Sequence, residues 1–325
     1  MTYRIRLGFV FLAIFLLIIF LAPFLVTVTP LEGLANAESL AFENSHFFDY
    51  QNQPIHYLQE GENPELALVL LHGFGSNALS WEALLKPLSN YGTVAAFDRP
   101  AFGLSTRGLK DSWQSNPYTP ESQVAITLAM TSELKAAKTV LVGNSAGGTI
   151  ALQTALARPE QFAGLILISP AVYASGGPPS WMRPLLYLPQ ATHVGPIIAR
   201  QFAGEAGKGL LEAAWSDPNR ISDQIRENYA LSQKVANWDK SLWEMIRANE
   251  AQKFDPESLK ALEIPVLIIA GEQDKIIPLA DNEKLAQALT QAKLVRLPDC
   301  GHVPQEECPE ATLATISTWL AEKAF

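Results

Sequence analysis

Residues Thr139-Val-Leu-Val-Gly-Asn-Ser-Ala-Gly-Gly-Thr149 constrain this chain more than any other stretch. Val140 to Val142 is a short apolar run and reads as a buried strand. Gly143-Asn144-Ser145-Ala146-Gly147 then fits G-x-S-x-G, and Ile150, Ala151, Leu152, Ala155 and Leu156 continue as an amphipathic helix. A strand that turns this sharply into a helix forces the serine into strained backbone angles, so its neighbours must be small. Gly143, Ala146, Gly147 and Gly148 meet that demand. The hydroxyl of Ser145 then stands at the carboxyl end of a strand, facing the free N–H groups of the next helix. An ordinary serine in a glycine-rich βα turn has the same local pattern, so the decision between turn and nucleophile rests on partners elsewhere in the chain.

The length, 325 residues, allows one large domain with an insertion or two modest ones, and 48% hydrophobic residues supply a sizeable core. The net charge is −9 and no block of Lys or Arg occurs, so nucleic acid is not an expected partner. No H-E-x-x-H and no Cys/His cluster is present, so neither a metal nor a cofactor is expected. The two cysteines, Cys300 and Cys308, are too few for a disulfide framework. They bracket His302 and could pair outside the cytoplasm, but two free thiols is the expectation.

Residues 1–37 read as a membrane anchor or signal segment. Arg4 and Arg6 precede a run without a charged residue from Leu7 to Leu31, long enough to span a bilayer. Ala35-Asn36-Ala37 resembles a cleavage site, yet the run is longer than a signal core, so an uncleaved anchor over residues 7–28 is the first expectation. Glu32, Glu38 and Glu43 follow the span and the next basic residue is Lys86, which places the rest of the chain on the non-cytoplasmic side.

From Glu38 the chain alternates. A hairpin is expected over His46–Gln51 and Gln53–Gln59, then strands at Leu66–Leu71, Thr93–Phe97 and Phe162–Ile168 with helices between, starting near Leu79 and at Pro120. This rhythm implies βαβ units and a mostly parallel sheet flanked by helices. It stops over residues 171–258, where helix formers and prolines replace strands, and resumes with Pro265–Ala270, a helix from Ala280, a strand at Lys293–Leu297 and a last helix from Pro309. The expected fold is therefore one α/β domain, residues 38–170 and 259–325, interrupted by a helical insertion at 171–258.

A serine hydroxyl needs a base, and the base needs a group to orient it. Asp274 lies just past the strand that ends at Ala270, with Glu272 and Asp281 as rival acids. His302 lies just past the last strand. Both fall on the sheet edge where Ser145 sits and where open α/β sheets bind ligands. His46, His56 and His193 lie elsewhere and read as surface or satisfied core residues.

With these motifs the chain resembles the α/β-hydrolase superfamily, in its capped serine-hydrolase branch, over about residues 46–323. His72-Gly73-Phe74-Gly75 is similar to the family's oxyanion loop, which implies that the backbone N–H groups of Phe74 and Ala146 form the oxyanion hole and that His72 shapes the loop. Asp98 to Ser105 resembles the family's D-x-x-G-x-G-x-S turn, with Ala101 where the first glycine is common. The insertion stands where the family carries its cap. The resemblance implies a triad of Ser145, Asp274 and His302 acting on a small or lipophilic ester. Serine at position 145 disfavours dehalogenase and epoxide-hydrolase chemistry, for which related proteins place aspartate there. The alternatives are a carbon–carbon bond hydrolase, whose elbows Gly143–Gly148 resembles although Val303 stands where that subgroup often has tryptophan, and a slow-turnover receptor that keeps the triad. Trp181, Met182, Leu185 to Leu188, Ile197 and Ile198 are expected to supply an apolar pocket under the cap.

Overall fold

In a computed structural model, residues 10–325 are described except for 12, 13, 16, 113, 175, 176, 251 and 324. The apolar runs become strands: β1 (Ser45–Tyr50), β2 (Gln53–Glu60), β3 (Leu66–Leu71), β4 (Thr93–Phe97), β5 (Lys138–Asn144), β6 (Gly164–Ile168), β7 (Val266–Gly271) and β8 (Ala292–Leu297). They form one sheet in the order β1-β2-β4-β3-β5-β6-β7-β8. β1, β2 and β4 pair antiparallel, and the pairs from β4 through β3 to β8 are parallel. The central strands are apolar throughout because both faces of a parallel sheet are covered. Val69, Leu71, Leu141, Leu165 and Ile268 pack with Ile126 and Met130 of the helix Pro120–Glu133 and with the helix Ala146–Ala157. Their neighbours in sequence, Leu68, Leu70, Val140, Val142 and Leu267, point to the other face and meet Leu84, Leu85, Ile316 and Trp319 from the helices Glu82–Leu88 and Pro309–Lys323. β6 starts at Gly164 rather than Phe162, because Pro159–Gln161 makes a 3₁₀ turn and Phe162 enters the core as a side chain.

Between β6 and β7 the cap consists of helices Arg183–Leu186, Pro189–Ala203, Glu205–Ala214, Asp223–Ala230 and Trp238–Ala248. The last of these buries Trp238, Leu242, Trp243 and Met245 against Ala199 of Pro189–Ala203 and against Phe102 and Tyr118 of the core. The N-terminal segment docks on the cap. Ala35 forms a parallel bridge with Val235, Gln190 Nε2 donates to the Phe20 carbonyl at 3.2 Å, and His193 Nε2 bonds the Val26 carbonyl at 2.9 Å. Among the described residues no helix is long and apolar enough to cross a membrane. The expected span over residues 7–28 lies partly outside the described residues.

β4 runs into the loop Asp98–Ser105, where Ala101 is buried with φ +75°. An L-residue pays about 1–2 kcal/mol there, and glycine avoids this while giving up about 0.5–1 kcal/mol of unfolded-chain entropy. Ala101→Gly is therefore expected to raise the melting temperature by about 1–3 °C; a fall, read by circular dichroism, would mean that the Ala101 methyl contributes more packing than its backbone strain costs.

Candidate active site

The turn after β5 shows why its residues are small. Ser145 sits at φ +52°, ψ −121°, outside the comfortable regions for a side chain. A Cβ on Gly143 would lie 2.6 Å from the Gly147 carbonyl oxygen, and one on Gly147 would lie 2.3 Å from that of Leu71. The turn is pinned on both sides: Ser145 N–H donates to Ile168 at 3.0 Å, while its carbonyl accepts from Thr149 at 3.1 Å and Ala171 at 3.1 Å. Ala146 opens the following helix, so its N–H has no acceptor within that helix. Phe74 and Ser145 both line one cavity.

His302 and Asp274 meet. His302 Nδ1 lies 2.8 Å from Asp274 Oδ2, with both side chains almost wholly buried. The other carboxylate oxygen accepts from the N–H groups of Ile276 at 2.8 Å and Ile277 at 2.9 Å, which fixes the acid's rotamer. Neither rival acid holds this position; Glu272 is exposed and Asp281 lies in the first turn of the helix Leu279–Ala288. The His302 backbone is held by the cap, through donation from its N–H to Ala214 at 2.7 Å, and by Asn144 Nδ2, which donates to its carbonyl at 3.1 Å. His302 and Ser145 line the same cavity.

Cys300 and Cys308 form a disulfide, with Cα atoms 6.2 Å apart. The expectation of two free thiols is thus corrected. The turn Pro304–Glu307 folds the chain back and brings together two positions that are eight apart in sequence, which sequence spacing alone does not reveal. Inside this loop Glu307 accepts from Gly301 N–H at 2.7 Å, from Ser216 N–H at 3.0 Å and from Ser216 Oγ at 2.5 Å. Burial pushes its carboxyl up, but these bonds outweigh burial and hold it below the usual glutamate value. Glu307 thereby ties the histidine loop to the cap, a role the sequence reading missed because two adjacent acids beside a proline look like an ordinary helix start.

His72 is fully buried and uses both ring nitrogens in the loop. Nδ1 donates to the Gly73 carbonyl at 2.7 Å, and Nε2 accepts from Arg99 N–H at 2.9 Å. Burial, with the Arg99 guanidinium beside it, lowers its pKa to about 3, so the ring stays neutral. Asp98 anchors the next loop, bonding His56 Nδ1 at 2.7 Å and accepting from the N–H groups of Ala78 at 2.6 Å and Leu104 at 2.6 Å. Burial raises its pKa, yet the charge and hydrogen bond of His56 prevail and hold it at about 2. His56 is satisfied in the core, its Nε2 lying 2.8 Å from Ser45 Oγ. His193 is held by Val26 on the cap surface.

The cavity over Ser145 has a volume of about 650 Å³. Phe74, Phe102, Leu211, Trp238, Leu242 and Val303 wall it. The cap residues expected to form this pocket do not. Trp181 is 71% exposed, Leu185, Tyr187, Leu188 and Ile198 are also exposed, and none of them lines the cavity. Pro189–Ala203 turns Gly195, Pro196 and Ala199 inward instead, and the cavity wall comes from its C-terminal end and from later cap segments. A hydrophobic run in a helical insertion does not reveal which face is turned inward.

This sheet order, cap position and strained serine define an α/β-hydrolase. The family model for the alpha/beta hydrolase fold matches residues 67–309, and the chain belongs to that family. The uncharacterized hydrolase YugF of Bacillus subtilis is 28% identical over 265 residues, covering 81% of this chain and 93% of its own. A 2-hydroxy-6-oxononadienedioate/2-hydroxy-6-oxononatrienedioate hydrolase of Escherichia coli is 28% identical over 281 residues, covering 82% and 91%. The solved 2-hydroxy-6-oxo-6-phenylhexa-2,4-dienoate hydrolase of Rhodococcus sp. matches with a TM-score of 0.66 at 26% identity, covering 86% of this chain and 97% of its own.

The loop closed by Cys300 and Cys308 is short, so its closure restricts the unfolded chain by about 2–3 kcal/mol. Cys300→Ser/Cys308→Ser is expected to lose that much stability, measured from the denaturant midpoint. An unchanged midpoint would mean that the Glu307 bonds hold the loop unaided.

Proposed function

We propose that this chain is a serine hydrolase that cleaves carboxylic esters with a lipophilic acyl group through an acyl-enzyme. The observation that carries the reading is that Ser145 and His302 share one largely apolar cavity, while His302 is bonded to the buried Asp274. In this reading Ser145 Oγ attacks the ester carbonyl, His302 takes its proton and passes it to the leaving alcohol, and Asp274 keeps Nδ1–H in place. The N–H groups of Phe74 and Ala146 stabilise the oxyanion. Water then repeats the sequence with His302 as base. No metal or cofactor enters the scheme, and nucleic acid is not a partner. Each acyl methylene buried in the cavity adds about 0.8 kcal/mol of binding at most.

Carbon–carbon hydrolysis is the second reading, favoured by the names of the relatives from Escherichia coli and Rhodococcus. Val303 beside His302 favours the ester. We also propose that residues 7–28 anchor the chain in a membrane with the catalytic domain on the non-cytoplasmic side; secretion after cleavage near Ala37 is the alternative. The disulfide supports a non-cytoplasmic location, where such bonds persist. A reporter fused after Phe325 tests this: a cytoplasmic signal contradicts it, and a soluble product starting at Glu38 removes only the anchor.

Turnover of p-nitrophenyl esters of rising acyl length is expected to peak at medium chains. A 2-hydroxy-6-oxo-dienoate turned over faster than every ester would replace this reading with the second. Ser145→Ala and His302→Ala should each lower kcat by about 10⁴ to 10⁶ with little change in KM, Asp274→Asn by less, and the Ser145→Ala/His302→Ala double variant scarcely more than either alone. Additive losses would show that the two residues do not share a mechanism.

A further inference from the structure

A second, smaller cavity of about 90 Å³ lies between cap and core, beside the active-site cavity. Tyr229, on the cap helix Asp223–Ala230, lines both. Glu306 reaches into the small cavity from Pro304–Glu307, the short helix directly after His302. One oxygen of its half-buried carboxyl, Oε1, receives two hydroxyl donors: Ser80 Oγ from the core and Tyr229 OH from the cap at 2.9 Å. Gln305 Nε2 donates to Ser80 Oγ at 3.0 Å and orients it. A carboxyl thus joins three elements that are far apart in sequence: the core turn Ala78–Trp81, the helix after the histidine loop, and the wall of the active-site cavity. The proposed mechanism uses none of these groups.

We propose that the Ser80–Glu306–Tyr229 bridge is a latch that positions the cap helix over the active-site cavity and loosens when Glu306 loses its proton. The reason is the surroundings of the carboxyl. Among the described residues that line the small cavity none is cationic, and the other acid there, Glu82, accepts from Asn228 of the same cap helix at 3.3 Å. Glu307, on Glu306's own helix, is held as a carboxylate. The cap helix also carries Asp223, Glu227 and Arg226; Arg226 lines the large cavity and pairs with Glu212 at 3.8 Å. Tyr229 keeps its proton, since burial and the neighbouring Glu306 push its pKa well up. An ionised Glu306 therefore gains two stronger hydroxyl bonds but loses part of its hydration, with no cation among the described residues lining the small cavity to offset that loss. Burial outweighs the hydroxyls and raises its pKa from the ordinary 4.5 to about 7. A carboxyl that binds its proton more tightly when latched favours the latched state fully below about pH 4.5. That preference is lost as pH rises to about 7 and stays lost above it. The pH at which the cap is held is thus set by a residue that does not touch substrate.

The latch itself does not depend on the ester reading; its effect on KM does. The direct test is hydrogen exchange of amides 223–230 in the full chain from pH 5 to 8, corrected for intrinsic exchange. Protection in the wild type should fall by about tenfold across this window and level off above pH 7. Glu306→Gln, which keeps an uncharged acceptor, should hold the low-pH level throughout. Tyr229→Phe, which keeps the ring and removes the donor, should show low protection at every pH. Flat wild-type protection overturns the latch, as does a Glu306→Gln or Tyr229→Phe variant that follows the wild-type curve. KM for a medium-chain p-nitrophenyl ester should rise several-fold over the same window in the wild type and stay flat in Glu306→Gln. A changed exchange curve with unchanged KM would leave the latch standing and count against the cavity as the acyl site.

Discussion

The close approach of β5, its following helix and β3 is the constraint on which the rest of the site depends. A Cβ on Gly147 would lie 2.3 Å from the Leu71 carbonyl oxygen, so the elbow is wedged against the end of β3, and Ser145 is held at φ +52° by the backbone around it. Strain of this kind persists only where the surroundings over-determine it. Here they do: the Ile168, Thr149 and Ala171 backbones all bond the Ser145 peptide. The same packing places the serine at the carboxyl edge of the sheet, where β7 delivers Asp274 and β8 delivers His302. A Cβ on Gly271 would lie 2.0 Å from the Gly301 carbonyl, so the acid and histidine loops are pressed together just as tightly as the elbow.

Around that edge, three carboxylates tie loops to one another and to the cap. Asp98 gathers three donors to shape one loop, Glu307 ties the histidine loop to the cap, and Glu306 joins cap and core. They differ in what compensates their burial. Asp98 has His56 and backbone amides and stays ionised; Glu307 has amides, Ser216 and Arg220 at 3.4 Å; Glu306 has only hydroxyls. An unpaired buried charge is costly, so the first two are fixed struts and the third responds to pH.

Much of this was legible in the residues. Continuous apolar strands at Leu66–Leu71 and Val266–Ala270 announce a sheet covered on both faces, and the structure covers both. Asp274 and His302 were legible because position after a strand fixes the edge on which a side chain stands. Position alone left Glu272 and Asp281 as rivals of Asp274; the family resemblance picked Asp274, and the structure sets its carboxylate against His302. The Cys300–Cys308 bond and the inner face of the cap were not legible. The first depends on a reversal of the chain that no periodicity marks, and the second on rotation of helices whose two faces are both partly apolar. Ala101 is a milder case: the departure from glycine was visible, while its left-handed backbone was not.

The central claim is that Ser145 carries the acyl group during turnover. Rapid acid quench of the full chain with a medium-chain p-nitrophenyl ester, followed by mass spectrometry of the peptide containing Gly143–Gly148, tests it directly. The account predicts an acyl adduct on Ser145 that forms during the first turnover and disappears as substrate is exhausted. Steady hydrolysis with no adduct on that peptide, or with an adduct on another residue, would contradict it.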